Sequence, residues 1–214
     1  MKTTEKPSEA LERVSDGRKG SEQGKDRDTD LQIPLMGVQT PRIHTPLNDL
    51  PSLGHELIDL ASSLGVDLME WQKFALIHSH KVKPDGRWAT PQNIFCVARQ
   101  NGKSFLQQIR ILGGLFLWDE PLQIGQAHTL NTSLEQFRQM MWTIEANDFL
   151  AKQVKKVRLN HGAEEIETLR GTRFMVRAGG SAARGISRPS TIHLDELLRM
   201  NNMDSYASLR YTLM

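Results

Sequence analysis

The stretch VARQNGKS, residues 97–104, ends in Gly102-Lys103-Ser104, residue types suited to gripping phosphate. A turn of small residues lets successive backbone N–H groups converge on the β- and γ-phosphates of a nucleotide. The helix start that follows adds partial positive charge, the lysine a mobile cation, and the hydroxyl a ligand for Mg²⁺. The glycine expected six residues before the lysine is missing, and Val97 stands in its place. A bare Gly-Lys-Ser serves equally well as an ordinary helix start. A second, independent motif lies at TIHLDE, residues 191–196, where an apolar run ends in Asp195 and Glu196. There Asp195 suits Mg²⁺, and Glu196 suits the orientation and deprotonation of a water attacking the γ-phosphate. Alone, such a pair also fits a strand running into an acidic helix start. Lys103 and Asp195 stand 92 residues apart. That leaves room for strands and helices to bring both to the carboxyl edge of one sheet, where open α/β sheets bind ligands.

Positioning these residues requires alternating elements. HELIDLASSLG has helical spacing and a glycine stop, and MEWQKFALIHSH again places apolar residues at helical intervals. NIFCV, residues 93–97, reads as a short strand feeding the glycine-lysine loop, with Cys96 buried between its neighbours. SFLQQIRILGGLFLW, residues 104–118, reads as a buried helix weakened locally by Gly113-Gly114. LQIGQA (122–127) reads as a strand. SLEQFRQMMWTIEANDFL (133–150) reads as one helix with Leu134, Phe137, Met141 and Ile144 on a shared face. EEIETLRGTRFMVRA (164–178) reads as a hairpin turning at Gly171-Thr172, and STIHLDE (190–196) as a strand in which His193 is packed rather than catalytic. This alternation predicts a three-layer α/β domain around a largely parallel sheet.

Composition sets the limits. At 214 residues, 38% hydrophobic and 24% charged, the chain suits one sizeable domain. No apolar run approaches the roughly 18 residues of a membrane span, and the amino terminus lacks the apolar core of a secretory signal. The lone Cys96 excludes an intramolecular disulfide. Residues 1–30 hold fifteen charged and four apolar residues, which predicts a disordered arm, followed by a proline-containing connector to residue 54. The net charge of +2 identifies no partner, but its distribution is uneven. Lys152, Lys155, Lys156, Arg158, Arg170, Arg173, Arg177, Arg184 and Arg188 face only Glu164, Glu165 and Glu167 in that span. This local excess of +6 could track a phosphate backbone without reading bases; solvated strand edges would look the same.

With both motifs in hand, VARQNGKS resembles the deviant phosphate loop of the large terminase subunits of tailed bacteriophages, in which Arg-Gln precedes a variable residue and Gly-Lys-Ser/Thr. Two further segments are similar: EWQKF (70–74), matching an upstream Trp-Gln, and AARGISRPSTIHLDE, matching an Ala-Arg-Gly run before the acidic strand. The resemblance covers residues 55–214. It implies a P-loop NTPase domain of the ASCE type, with Arg99, Gln100, Asn101, Gly102, Lys103 and Ser104 forming the phosphate loop. Ser104 and Asp195 would hold Mg²⁺, Glu196 would be the catalytic base, Lys103 and Arg99 would assist catalysis, and Gln72 would read the adenine of ATP. Arg99 fits the γ-phosphate and a neighbouring carboxylate equally well. The implied activity is ATP hydrolysis driving double-stranded DNA into a procapsid in the host cytoplasm. The implied partners are a small terminase subunit and the capsid portal protein, with the motor as a homo-oligomeric ring. Terminases of this kind also carry a carboxyl-terminal nuclease. The chain stops at Met214, so the expectation is a truncated or excised piece whose sheet is incomplete at the carboxyl end. Two rivals share these features: another P-loop motor such as a helicase-like ATPase, and a silent fragment that only binds DNA or a partner.

Overall fold

The structure is a computed structural model that describes residues 37–160, 164–177 and 188–199. Contacts divide the chain into Met1–Gly37 and Val38–Met214, and the architecture below is that of the described residues of the second unit. The expected arm at 1–30, the Ala-Arg-Gly run and Arg184 lie outside the described residues.

Helices α1 (Gly54–Ser63) and α2 (Glu70–Ser79) lead to α3 (Lys103–Phe116), which opens directly after the glycine of the loop. Strand β1 (Leu122–Gln126) follows, then α4 (Leu130–Glu145) and the short α5 (Asp148–Ala151). Strands β2 (Val154–Arg158), β3 (Glu165–Thr168), β4 (Arg173–Val176) and β5 (Thr191–Leu194) complete the set, with a single helical turn at Leu197–Arg199. The sheet order is β2-β3-β4-β1-β5. Strand β1 runs parallel to β4 and β5, whereas β2, β3 and β4 are antiparallel neighbours. The fold is a mixed α/β domain on an open sheet that is parallel at its centre.

Apolar spacing accounts for the helices. In α3 every residue from Ile109 through Phe116 except Arg110 is apolar or glycine and buried, so this half of the helix is enclosed nearly all round. It packs on α1 through Leu57, Ile109, Leu112 and Leu115, none of them more than 0% exposed. Each stabilises the fold by about 2 kcal/mol, so this cluster fixes where α3 begins. Gly113-Gly114, expected to weaken the helix, instead permits this packing. A Cβ on Gly113 would lie 2.2 Å from Leu57 Cδ2, and one on Gly114 2.4 Å from Gln123 Nε2. Phe174 of β4 stacks on Phe137 of α4 with ring centroids 6.5 Å apart. Gln123 faces α3 and donates to the Ile111 carbonyl at 2.9 Å. The opposite face of the sheet, with Ile124 at 0% and Met175 at 7% exposure, is buried as well.

Three details depart from the sequence reading. The expected single helix at 133–150 is two, because Thr129 caps α4 at its start and Asn147 accepts from Leu150 N–H to begin α5. The methionine on the core face of α4 is Met140, at 2% exposure, while Met141 is half-buried. NIFCV forms no strand. Residues 93–97 lie outside every ladder, Ile94 is 80% exposed, and Cys96 is exposed, not buried. A β-prone sequence becomes a strand only when its backbone groups find a partner. The described sheet ends at β5, and no described segment pairs beyond it. Among the described residues no helix is long and apolar enough to cross a membrane.

Candidate functional site

Parallel pairing aligns β1 with β5 so that Gln126 stands opposite Leu194. One further bond, Asp195 N–H to the Gln126 carbonyl at 2.9 Å, carries the register past the strand ends. The start of β5 is anchored at its other end. Arg110 of α3 makes a two-pronged bond to Glu120, at 2.5 and 3.2 Å, and donates to Thr191 Oγ1 at 3.3 Å. Its guanidinium lies 4.9 Å from the Trp118 ring centre and 5.5 Å from that of Trp88. Helix α3 and strand β5 are thus pinned together by a largely buried cation. The amino end of α3 and the carboxyl end of β5 consequently meet.

There Lys103 Nζ forms an ion pair with Asp195 Oδ1, although the two are 92 residues apart in sequence. Asp195 is 4% exposed, and its other oxygen accepts from Gln136 Nε2 of α4. Asp195 Oδ1 also accepts from the Glu196 N–H at 2.9 Å. Glu196 is half-buried with φ +53°, a left-handed conformation that a glutamate adopts at a cost. Its Oε2 lies 2.6 Å from His128 Nδ1 and 3.6 Å from Arg199 Nη1. Ser104, Thr132, Glu135, Gln136, Asp195 and Glu196 line one open cleft.

The loop residues are arranged as follows. Arg99, Gln100 and Asn101 are exposed. Asn101 Nδ2 donates to the carbonyls of Ala98 and Arg99, both at 3.2 Å, which holds the turn. Arg99 forms no ion pair among the described residues, so neither a phosphate nor a carboxylate role follows from its contacts. Gln100 has φ +63° and Gly102 φ +77°. Gly102 caps α3 without a side chain, leaving the first N–H groups of the helix open to an anion. Ser104, one residue into the helix, is exposed. Gln72 is buried, its Oε1 accepting from Met69 N–H at 2.9 Å and its Nε2 donating to the Gly102 carbonyl at 3.3 Å. Both ends of the amide expected to read adenine are therefore engaged, the oxygen in capping the start of α2 and the nitrogen in tying α2 to the loop.

Two histidines near the site, His193 and His80, are neutral and structural. Burial first, then Arg110 and His80, hold the His193 imidazole well below its ordinary range. Its Nε2 pairs with Gln123 Oε1 at 2.9 Å. His80 is pushed down to about 4, again by burial and then by Arg110.

The basic excess is largely neutralised where it can be seen. Lys155 pairs with Glu167 at 2.6 Å, Arg158 and Arg173 with Glu165 at 2.6 and 2.9 Å, and Arg170 with Asp119 at 2.9 Å. Lys152 and Lys156 are exposed and have no acidic partner among the described residues.

Sequence reasoning missed Gln136, Thr132 and His128. Thr132 sits on α4 ahead of the start that the spacing gave, and Gln136 lies within the expected helix but carries no motif. His128 carries no motif and is found only through the register: it lies two residues past Gln126, as Glu196 lies two past Leu194.

Among the described residues no three His, Cys, Asp or Glu side chains could together hold a metal ion. An ion here would rest on Ser104, Asp195 and phosphate oxygens. These are hard oxygen donors of the kind Mg²⁺ takes, so the residues fit it.

No protein-family model matches the chain, and no curated protein matches it in sequence. Solved structures do. The large terminase of bacteriophage HK97 is similar over 68% of this chain and 31% of its own length, at 19% identity and a TM-score of 0.54. The large terminase ATPase domain of Thermus phage P74-26 is similar over 78% of this chain and 66% of its own, at 15% identity and a TM-score of 0.53. The chain thus spans about a third of the HK97 protein it matches. Its fold is that of a phage large-terminase ATPase domain.

Proposed function

We propose that residues 55–214 form an ATP-hydrolysing domain of the large-terminase kind, which drives double-stranded DNA into a procapsid in the host cytoplasm. It would act as a homo-oligomeric ring with a small terminase subunit and the portal protein. The observation that carries this reading is the ion pair between Lys103 and Asp195 at the meeting point of α3 and β5. Two motifs that are each common by chance converge on one cleft, beside an uncapped helix start.

On this reading the open N–H groups after Gly102 and the Lys103 ammonium bind the β- and γ-phosphates. Lys103 leaves Asp195 to do so. Ser104 and Asp195 would hold Mg²⁺, which when bound supplies positive charge to the phosphate oxygens. Glu196 orients a water and takes its proton as the water oxygen attacks the γ-phosphorus. The bond to the bridging oxygen breaks and ADP departs. Lys103 offsets the charge that gathers on that oxygen, and Arg99, exposed beside the loop, is free to turn toward the γ-phosphate. Gln72 reaches adenine only by giving up its bonds to Met69 and Gly102.

The test separates binding from chemistry. Glu196→Gln keeps the shape but removes the base. It is expected to bind ATP·Mg²⁺ with near-parental affinity while single-turnover hydrolysis slows by about 10²–10⁴. Asp195→Asn is expected to weaken the metal-dependent part of binding instead. Equal loss of binding in both variants, or normal hydrolysis in Glu196→Gln, refutes the assignment.

A further inference from the structure

We propose that His128 is a positioning residue for Glu196, fixing the carboxylate that activates water against the frame of the sheet; this rests on the ATPase reading above. Glu196 stands where the chain has left β5, in a left-handed conformation at φ +53°. A strained residue keeps its place only if its surroundings hold it. Among the described residues two side chains touch its carboxylate. Arg199 is three residues on in the same turn, 3.6 Å away and 48% exposed along its side chain, so it moves with Glu196 and anchors nothing. His128 belongs to the connection between β1 and α4, and its Nδ1 lies 2.6 Å from Glu196 Oε2. That nitrogen is buried and makes no hydrogen bond among the described residues, so the close approach to Glu196 is its one polar contact there.

The histidine is itself held. Ala127 before it is 1% exposed, and its N–H donates to Ser133 Oγ at 2.9 Å. Thr129 after it caps α4 through the Thr132 N–H at 3.2 Å. His128 therefore sits between a buried strand end and a capped helix start. Asp195 is fixed in the same manner from α4 by Gln136. Each of the two acids thus has its own retaining side chain, reaching in from the connection after β1 or from the helix it leads into.

The experiment uses the full chain with ATP·Mg²⁺, reading single-turnover hydrolysis and, separately, the affinity for a non-hydrolysable ATP analogue. His128→Ala is expected to slow hydrolysis by about 10–100-fold, the usual range for losing a supporting partner, with affinity changed less than twofold. His128→Asn places an amide nitrogen near the position of Nδ1 and is expected to recover most of the loss. In a Glu196→Gln background, His128→Ala is expected to cost nothing further, because the two residues act as one unit. Unchanged hydrolysis in His128→Ala, an equal loss in both backgrounds, or a loss that lies wholly in affinity overturns the proposal. If Lys103→Ala and Glu196→Gln behave as the ATPase reading requires while His128→Ala is inert, this inference alone falls. If Lys103→Ala alters neither binding nor turnover, the ATPase reading falls and takes it along.

Discussion

Gly102→Ala probes the joint between the phosphate loop and α2. At φ +77° an alanine pays about 1–2 kcal/mol that glycine does not. The new Cβ would also lie 2.7 Å from Gln72 Nε2, displacing the amide from the Gly102 carbonyl and costing about 1 kcal/mol more. The total is a loss of about 2–3 kcal/mol. Gln72→Ala removes the obstacle, so in that background Gly102→Ala is expected to cost only the backbone part. Urea unfolding of the parent, both single variants and the double variant, read from midpoints at constant m-value, gives the coupling between the two sites directly. A Gly102→Ala protein within about 0.5 kcal/mol of the parent, or a cost identical with and without Gln72, refutes both the left-handed loop and its contact with α2.

Acid should destabilise the fold through its buried imidazoles. His80, at about 4 when folded against its ordinary 6.5, stays neutral while the unfolded chain takes up a proton. The stability is therefore complete above pH 6.5 and is lost as pH falls toward 4. The share due to His80 is about 2 kcal/mol between pH 7 and 5, and unfolding of His80→Gln across that range should show a correspondingly flatter profile; an unchanged profile would mean that His80 is not a buried neutral group. For the proposed DNA contact, Lys152→Ala with Lys156→Ala should flatten log K against log salt for short duplexes by about 0.9 per lost phosphate contact. Lys155→Ala, already paired with Glu167, should leave that slope nearly unaltered, and the reverse ranking would place the contact on the paired residues.

The parts of the fold that could be foreseen are those whose own sequence decides them. The apolar intervals of α1, α2 and α3, the left-handed Gly171 between β3 and β4, and the alternation of TIHL all act within a few residues. Partners decide the rest. VKKVR forms β2 with both lysines exposed and its register interrupted by a bulge against β3, and nothing local distinguishes it from a charged loop. NIFCV has every local mark of a strand and lacks only a neighbour. Gly113-Gly114 looks like a flaw until Leu57 and Gln123 occupy the space that a Cβ would fill. In the site, Lys103 and Asp195 were legible from motif chemistry. His128 was not, because only the pairing of β1 with β5 puts it beside Glu196.

The charges of the cleft also determine which substitution reports on chemistry and which on stability. Asp195 is 4% exposed, and a carboxylate so buried is tolerated only with a cation and hydrogen bonds around it. Lys103 and Gln136 supply them, and both reach Asp195 because α3 and α4 open onto the same edge of the sheet. With Lys103 turned to phosphate, as proposed, Asp195 would hold the Mg²⁺ bound with the nucleotide, and the buried charge would keep a cation beside it. Lys103→Ala breaks that balance in two ways at once, removing the phosphate cation and stranding Asp195. Glu196 differs. Its side chain is 29% exposed and touches His128 and Arg199 at the margin of the cleft, so neutralising it leaves no buried charge unpaired. A rate loss in Glu196→Gln therefore belongs to the reaction, whereas a loss in Lys103→Ala is shared between the reaction and the fold.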